Sequence, residues 1–569
     1  MKTIFFIFIF FTIVSAGEIE PKLVQYLSKQ NPHELNVWIF FKDKGPQDAL
    51  SFSKASAIVS ERALQRRAKM GTENLIKFTD YPVYGQYKEQ IFENVIRIRN
   101  ESRWLNAVSA RVSPAQIMLI KDFDFVESIN FLPDYKRREK DLEGESLDNL
   151  SKLSADFGYG ESEIQLQQIG VTALHNKGLS GEGIVIAMLD DGFNRYKTHR
   201  AFRNLKVIDT WDFINKDPDV ADINAQPVEG WHGTLTLSVV AGYVPDTLIG
   251  SAYNASFLLA KTEIDNQEIP QEEDNWVAGM EWAEAHGADI INSSLGYTDW
   301  YSWQDLDGKT AITTKATIIA EKYGLIVVNS AGNDGYSEVN TLGAPADGEF
   351  VITVGGINLL GERWSRSSVG PTADGRIKPD VCALASGVFR ASYVVNDGFL
   401  VGSGTSFSSP LTAGAIALLL EAFPYLKPED VRKVIKKTAS QAGNPDNLMG
   451  YGILNVEAAY NYIQNDSLAI SDTYILHQNR PNPFDRYTRI EYAVKNRSRV
   501  KLTVYDVLGR TIVAFPERIV EESQSEFLVN DQLGASGVYF YKIDGKEIGS
   551  GKHFSDARKM VLIKSSYSY

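Results

Sequence analysis

Residues 183–191 read GIVIAMLDD, an unbroken apolar run that ends in two carboxylates. Alone, such a run fits a buried strand or a piece of buried helix. Its recurrence decides between them. ASFLLAKTE (255–263), ADIINSSLG (288–296), LIVVNSAGN (325–333) and EFVITVGGI (349–357) are equally short and rich in Val and Ile. Amphipathic stretches lie between several of them, such as EDNWVAGMEWAEAHG (273–287) and KTAITTKATIIAEKYG (309–324). Strands alternating with helices imply βαβ units, and so an α/β domain whose parallel sheet is covered on both faces. Ligand sites in such sheets lie beyond the carboxyl ends of the strands. What ends each run therefore matters most.

Working outward, the chain divides into regions. The first residues, MKTIFFIFIFFTIVSAGEIEP, carry Lys2, an apolar run from Ile4 to Val14 and small residues up to Ala16. This is a secretory signal, 1–16, too short to span a bilayer. No other run approaches the roughly 20 apolar residues of a spanning helix, so the expected mature protein is exported and has no transmembrane segment. A compact region, 17–140, ends in YKRREKDLEGESLDNLSK (135–152), a charged linker by composition. The α/β region covers 155–465. From 470 to 569 the chain turns to short alternating runs (TRIEYAV, VKLTVYDVLG, SEFLVND, GVYFYKI, KMVLIK), which read as a small all-β sandwich.

The net charge of −14 argues against a nucleic-acid surface, which needs a basic patch to neutralise phosphates. The single cysteine, Cys382, rules out an intrachain disulfide and zinc sites built from cysteine pairs. It reads as a small buried hydrophobe.

Five strand or helix boundaries carry chemical groups. Asp190 ends the first run and can orient an imidazole; an Asx-type turn is the plainer reading. His232, in EGWHGTLTLSVVAGY (229–243), precedes a helical stretch and can pass a proton, or be a structural histidine. Asn333 ends VVNSAGN and can donate to an oxyanion, or simply form a turn. Ser294, Leu295 and Gly296 end another strand and can pair with an extended peptide, or form a loop. In GSGTSFSSPLTAGAIALLLEAF (402–423), small residues lead to Ser406 where a helix begins. That position suits a nucleophile.

Together these stretches resemble the subtilisin-like serine proteases (subtilases) over about 160–460. The chain order Asp, His, Ser is that of subtilisin, unlike chymotrypsin or the α/β-hydrolases. VIAMLDDGF, HGT, SLG, SAGNDG and GTSFSSP resemble the family's motifs; SSVGPTADGRIKPDV and GAPA are further family-like stretches. The resemblance implies a secreted serine endopeptidase, with catalytic Asp190, His232 and Ser406. It also implies Asn333 in the oxyanion hole and Ser294, Leu295 and Gly296 along the substrate backbone. Asp191 departs from the family's usual Ser or Thr, adding a charge beside Asp190 that is expected to perturb the pH profile. Leu235 stands where many members have a second histidine. No metal ligand and no cofactor are expected for the chemistry. A structural calcium stays open, because Asp246 lies in a loop where one family site falls but is one carboxylate against the roughly six to eight oxygens calcium takes.

The region 17–140, with LNVWIFFKDKG, ENVIRIRNESRWLNAVSARVS, PAQIMLIKDF and DFVESINFL read as strand, strand, helix, strand, resembles the inhibitory α+β ferredoxin-like propeptide of subtilases. The tail (LHQNRPNPFDRYTRIEYAV, VKLTVYDVLGRTIV, GASGVYFYKI, KMVLIK) resembles the C-terminal sorting domain of type IX secretion cargo in Bacteroidetes. The expected partners are protein or peptide substrates, the chain's own propeptide and the type IX machinery. The expected location is secreted or at the cell surface, reached via the periplasm. The rival readings are a catalytically silent subtilase-fold protein used for surface binding, and an adhesive tail carried by the protease domain.

Overall fold

The computed structural model describes residues 17–30, 32–71, 74–132, 158–221, 230–264, 271–336, 340–470, 474–476, 479, 481–494, 496–521, 523–530 and 533–564. The signal sequence and the charged segment 135–152 lie outside them. The chain falls into two compact units, Met1–Glu457 and Ala458–Tyr569.

In the first unit the propeptide region builds strands β1 (Glu18–Ile19), β2 (Leu35–Phe41), β3 (Arg97–Ser102), β4 (Ala107–Val112) and β5 (Val126–Leu132), in the order β1-β5-β2-β4-β3. The last four form the antiparallel ferredoxin-like arrangement, and β1 adds a parallel edge to β5. Helices α1 (Pro21–Gln30), α4 (Gly85–Phe92) and α5 (Pro114–Ile120) accompany it. Leu23, Ile91 and Ile117 pack with Val37, Ile39 and Ile129 of the sheet. The stretch ENVIRIRNESRWLNAVSARVS, expected as one strand, folds into the β3–β4 hairpin, because Asn106 takes the left-handed conformation at its turn (φ 51°). Helices α2 (Ala49–Ile58) and α3 (Glu61–Lys69) had no counterpart in the sequence reading.

The protease region follows, with α6 (Glu163–Gln167), α7 (Val171–His175), β6 (Val185–Asp190), β7 (Lys206–Asp212), α8 (His232–Ala241), β8 (Tyr243–Val244), β9 (Leu248–Ile249), β10 (Ser256–Lys261), α9 (Gln271–Ala285), β11 (Ile290–Ser293), α10 (Ile312–Lys322), β12 (Ile326–Ser330), β13 (Val351–Ile357), β14 (Val381–Leu384), β15 (Val388–Ala391), β16 (Phe399–Gly402), α11 (Thr405–Ala422) and α12 (Pro428–Thr438). Seven strands form a wholly parallel sheet in the order β14-β13-β12-β11-β6-β10-β7. Strands β6, β11, β12, β13 and β14 are buried at every position, which is why their sequences read as continuous apolar runs. From β6 the chain builds outward to β7 and β10 on one side, then crosses to β11 on the other. That reversal opens the crevice where α/β sheets bind ligands, and it falls at the carboxyl end of β6, beside Asp190.

The N-terminal region grips the α/β region along α9. At one end Ser109, Arg99 and Asn100 donate to Asp274. In the middle Ser102 and the backbone N–H groups of Arg103 and Trp104 donate to Glu281. At the far end Arg67 lies fully buried, donating twice to Glu284 (2.9 and 2.7 Å) and twice to Asp80 (2.7 and 2.8 Å), with Arg66 also paired to Glu284. Arg62 and Arg66 further donate to the carbonyls of Gly287, Ala288 and Tyr323, the orphan acceptors at the ends of α9 and α10. Trp38 and Trp104 of the propeptide share one apolar core with Trp276, Met280 and Tyr323.

Helix α13 (Val456–Ile470) spans the division between the units. In the second unit β17 (Tyr474–Leu476), β18 (Tyr487–Val494) and β22 (Ser523–Asn530) form one sheet. Strands β19 (Ser498–Tyr505), β20 (Thr511–Ala514), β21 (Arg518–Val520), β23 (Gly537–Glu547) and β24 (His553–Leu562) form another. Tyr492 and Phe527 of the first share a core with Leu502 and Tyr541 of the second, as the expected all-β sandwich requires.

Candidate active site

Asp190 is the last residue of β6 and is wholly buried. Its Oδ1 accepts from His232 Nδ1 at 2.6 Å, and its Oδ2 accepts from Thr236 Oγ1 at 2.9 Å. His232 opens α8, and Thr236 lies one turn on along the same face. One carboxylate therefore fixes both the ring and its helix. Asp191 fixes the helix start: its two oxygens accept the backbone N–H groups of His232 (3.1 Å) and Gly233 (2.9 Å). A Cβ on Gly233 would lie 2.2 Å from the Gly192 carbonyl, so this close seating of β6's end on α8 requires glycine.

Ser406 sits in the first turn of α11, a helix buried along nearly its whole length. Its Oγ donates to the Ser294 carbonyl at 3.4 Å, and Ser294 Oγ donates to the Ser406 carbonyl at 2.9 Å. Among the described residues no hydrogen bond joins Ser406 to His232. The Phe407 ring, next in the chain after Ser406, lies 6.4 Å from the imidazole, centre to centre. Asn333 Oδ1 accepts from the backbone N–H (3.0 Å) and the hydroxyl (2.9 Å) of Thr405, which leaves the amide NH2 as its available end. Leu295 is held through its carbonyl by Asn329 (2.9 Å) and packs on the Trp276 core, while Tyr297 and Ala344 exchange backbone bonds at 2.9 Å. Gly296 faces open space.

Thr236, Thr405 and the helix-holding role of Asp191 were not recognised in the sequence. Thr236 had one legible signal, its place four residues after His232 on the same helix face. A buried acid also escaped notice. Glu273 accepts from Trp300 Nε1 (2.8 Å) and Tyr301 Oη (2.7 and 2.9 Å), and burial pushes its carboxyl up to about 7.

Asp190, Asp191 and His232 are the one group of three acid or imidazole ligands close enough to hold a metal among the described residues. No such group gathers about Asp246, whose backbone N–H donates to Gly158 at the turn after β8.

Residues 181–452 match the model of the subtilase family. Subtilisin DY of Bacillus licheniformis is 32% identical over 285 residues, covering 50% of this chain and 93% of that protein. The chain belongs to the subtilase family. Subtilisin NAT of Bacillus subtilis subsp. natto is 30% identical over 299 residues, 52% of this chain and 70% of its own length. Among solved structures, the CspB protease of Clostridium perfringens is 17% identical with a TM-score of 0.46, covering 53% of this chain and 99% of that one. Residues 36–146 match a peptidase S8 propeptide domain of Bacteroidota, and 480–554 match a secretion system C-terminal sorting domain. This subtilase is a serine-type endopeptidase with a propeptide and a type IX sorting tail, which indicates secretion or cell-surface export. No helix among the described residues is long and apolar enough to cross a membrane.

Proposed function

We propose that the subtilase is made as a zymogen and hydrolyses peptide bonds through Asp190, His232 and Ser406. The observation that carries this reading is the 2.6 Å bond from His232 Nδ1 to a buried carboxylate, with Ser406 at the start of α11 next to Phe407, whose ring lies 6.4 Å from the imidazole. With Nδ1 committed to Asp190, Nε2 is the nitrogen left to accept a proton. Substrate lies along Ser294–Gly296, and its carbonyl displaces the weak 3.4 Å contact of Ser406 Oγ. His232 then takes the Ser406 proton as Oγ attacks. The oxyanion is held by the Ser406 N–H and the Asn333 amide, which Thr405 aims. His232 passes its proton to the leaving amine, and water repeats the sequence on the acyl-enzyme. Asp190 stabilises the imidazolium without taking the proton.

The propeptide covers α9 and is expected to leave after cleavage within or after the charged segment. Export across the outer membrane then follows from the tail. This chemistry calls for no metal.

The test is fluorophosphonate labelling of the exported, processed protein beside a Ser406→Ala control. Labelling and proteolysis confined to the parent support the reading. A folded protein, free of propeptide, that does not label would overturn it.

A further inference from the structure

Arg390 is a half-buried cation with no anion beside it among the described residues. Its Nε and Nη1 are closed off from solvent and make no hydrogen bond. Among the described residues the one other group whose charge bears on it is the Tyr393 phenol, and burial pushes the guanidinium down to about 10. Buried polar groups are normally satisfied, and an unpaired buried charge is costly to keep.

The fold makes room for it deliberately. Arg390 lies on β15 opposite Leu400, on the same face as Gly402 of β16. A Cβ at Gly402 would lie 2.1 Å from Arg390 Nη2, so the guanidinium occupies the space a side chain there would take. It lies 4.8 Å from the centre of the Phe407 ring, which itself faces His232. The strand is braced on both sides. The Gln165 side chain binds both the N–H and the carbonyl of Phe389, and Ala391 donates to Ser238 on α8, the helix that carries His232. A guanidinium so placed loses little freedom on binding a carboxylate, and Nη2, the nitrogen not closed off, is the donor it offers.

We propose that Arg390 is a specificity determinant that receives a substrate carboxylate on one of the two residues following the scissile bond. The inference rests on the serine-protease reading above. In that chemistry the imidazole protonates the leaving amine, so the leaving half of the substrate departs past His232. Phe407 and Arg390 lie on that side, whereas Ser294–Gly296 hold the acyl half.

The experiment uses the processed full-length chain and internally quenched peptides that differ only by Glu or Gln at the first or second position after the cleaved bond. Mass spectrometry confirms the cleaved bond. The expected result is a kcat/KM about tenfold higher for Glu at one of these positions. In Arg390→Met the Glu/Gln ratio falls toward one, and raised salt narrows it in the parent. Turnover of the Gln peptides with no Glu preference at either position overturns this inference alone. Absence of turnover on every peptide overturns the protease reading and this inference with it. The parent ratio decides the matter even if the variant fails to fold.

Discussion

Asp191 holds the backbone of His232, while its neighbour Asp190 holds the ring. Two adjacent carboxylates at the end of one strand thus set both the position and the orientation of the imidazole. The charge of Asp191 is engaged by the N–H groups at the start of α8 that have no partner within the helix, where negative charge is favourable. From a neighbouring element it does what a capping side chain does locally. Asp191→Ala is expected to cost about 1 kcal/mol of stability and to lower kcat several-fold, because the helix start carrying His232 loosens. Asp191→Asn and Asp191→Ser keep an acceptor and should lie between Ala and the parent. Thermal unfolding and kcat of the processed protein measure this; an Ala variant equal to the parent in both would refute it.

Thr405 aims Asn333 through two bonds to the same amide oxygen. Replacing Asn333 with Ala removes a proposed oxyanion donor. The expected fall in kcat is roughly 10²–10³-fold, the size of loss that follows removal of one such donor from subtilisin. Thr405→Val removes only the hydroxyl bond and lets the amide swing. A smaller loss, about tenfold, is expected in kcat with KM little changed, since the bond matters most as charge develops. Steady-state kinetics on one peptide separates the two; an equal rise in KM would assign Thr405 to substrate binding instead.

Glu273 makes stability depend on pH. Its carboxyl is raised from 4.5 to about 7 by burial, against the pull of Tyr301, Trp300 and Thr313. The folded chain therefore keeps a proton that the unfolded chain releases. This contribution is full below about pH 4.5 and is lost as pH rises through 7. Glu273→Gln cannot ionise. It is expected to match the parent near pH 5 and to exceed it above pH 8, by up to about 3 kcal/mol. Unfolding temperatures of the processed protein from pH 5 to 9 test this; parallel curves for the two proteins would remove Glu273 as the cause.

The parallel sheet was legible because strands covered on both faces leave long Val- and Ile-rich runs, as in β6 and β12. Asp190, His232, Asn333 and Ser406 were legible as groups at element ends, where local sequence marks the boundary. Other features depend on partners far along the chain. ERALQRRAK is rich in Arg and Lys, residues that are seldom buried, yet Arg67 of α3 is wholly buried because Glu284, 217 residues away, meets it. Arg390 looks like an ordinary strand residue until Gly402, on the facing strand, is seen to give it room. The β3–β4 hairpin hid inside one apolar stretch because its turn depends on the left-handed conformation of Asn106.

The Arg67–Glu284–Asp80 cluster predicts different effects before and after maturation. Burying these charges is costly, and the cost is met only while all partners are present. In the propeptide-bound chain Glu284 accepts from Arg66 and Arg67, both nearly or fully buried. Glu284→Gln leaves that pair of cations short of one charge. In an uncleaved Ser406→Ala background it should lower stability by roughly 3 kcal/mol. Once the propeptide has gone, the same carboxylate has lost Arg66, Arg67 and Arg103, the three arginines that it meets across this interface. The substitution should then be near neutral in the processed protein. Unfolding temperatures of both forms decide the point. A loss of equal size in each would mean that Glu284 supports the protease itself, rather than its hold on the propeptide.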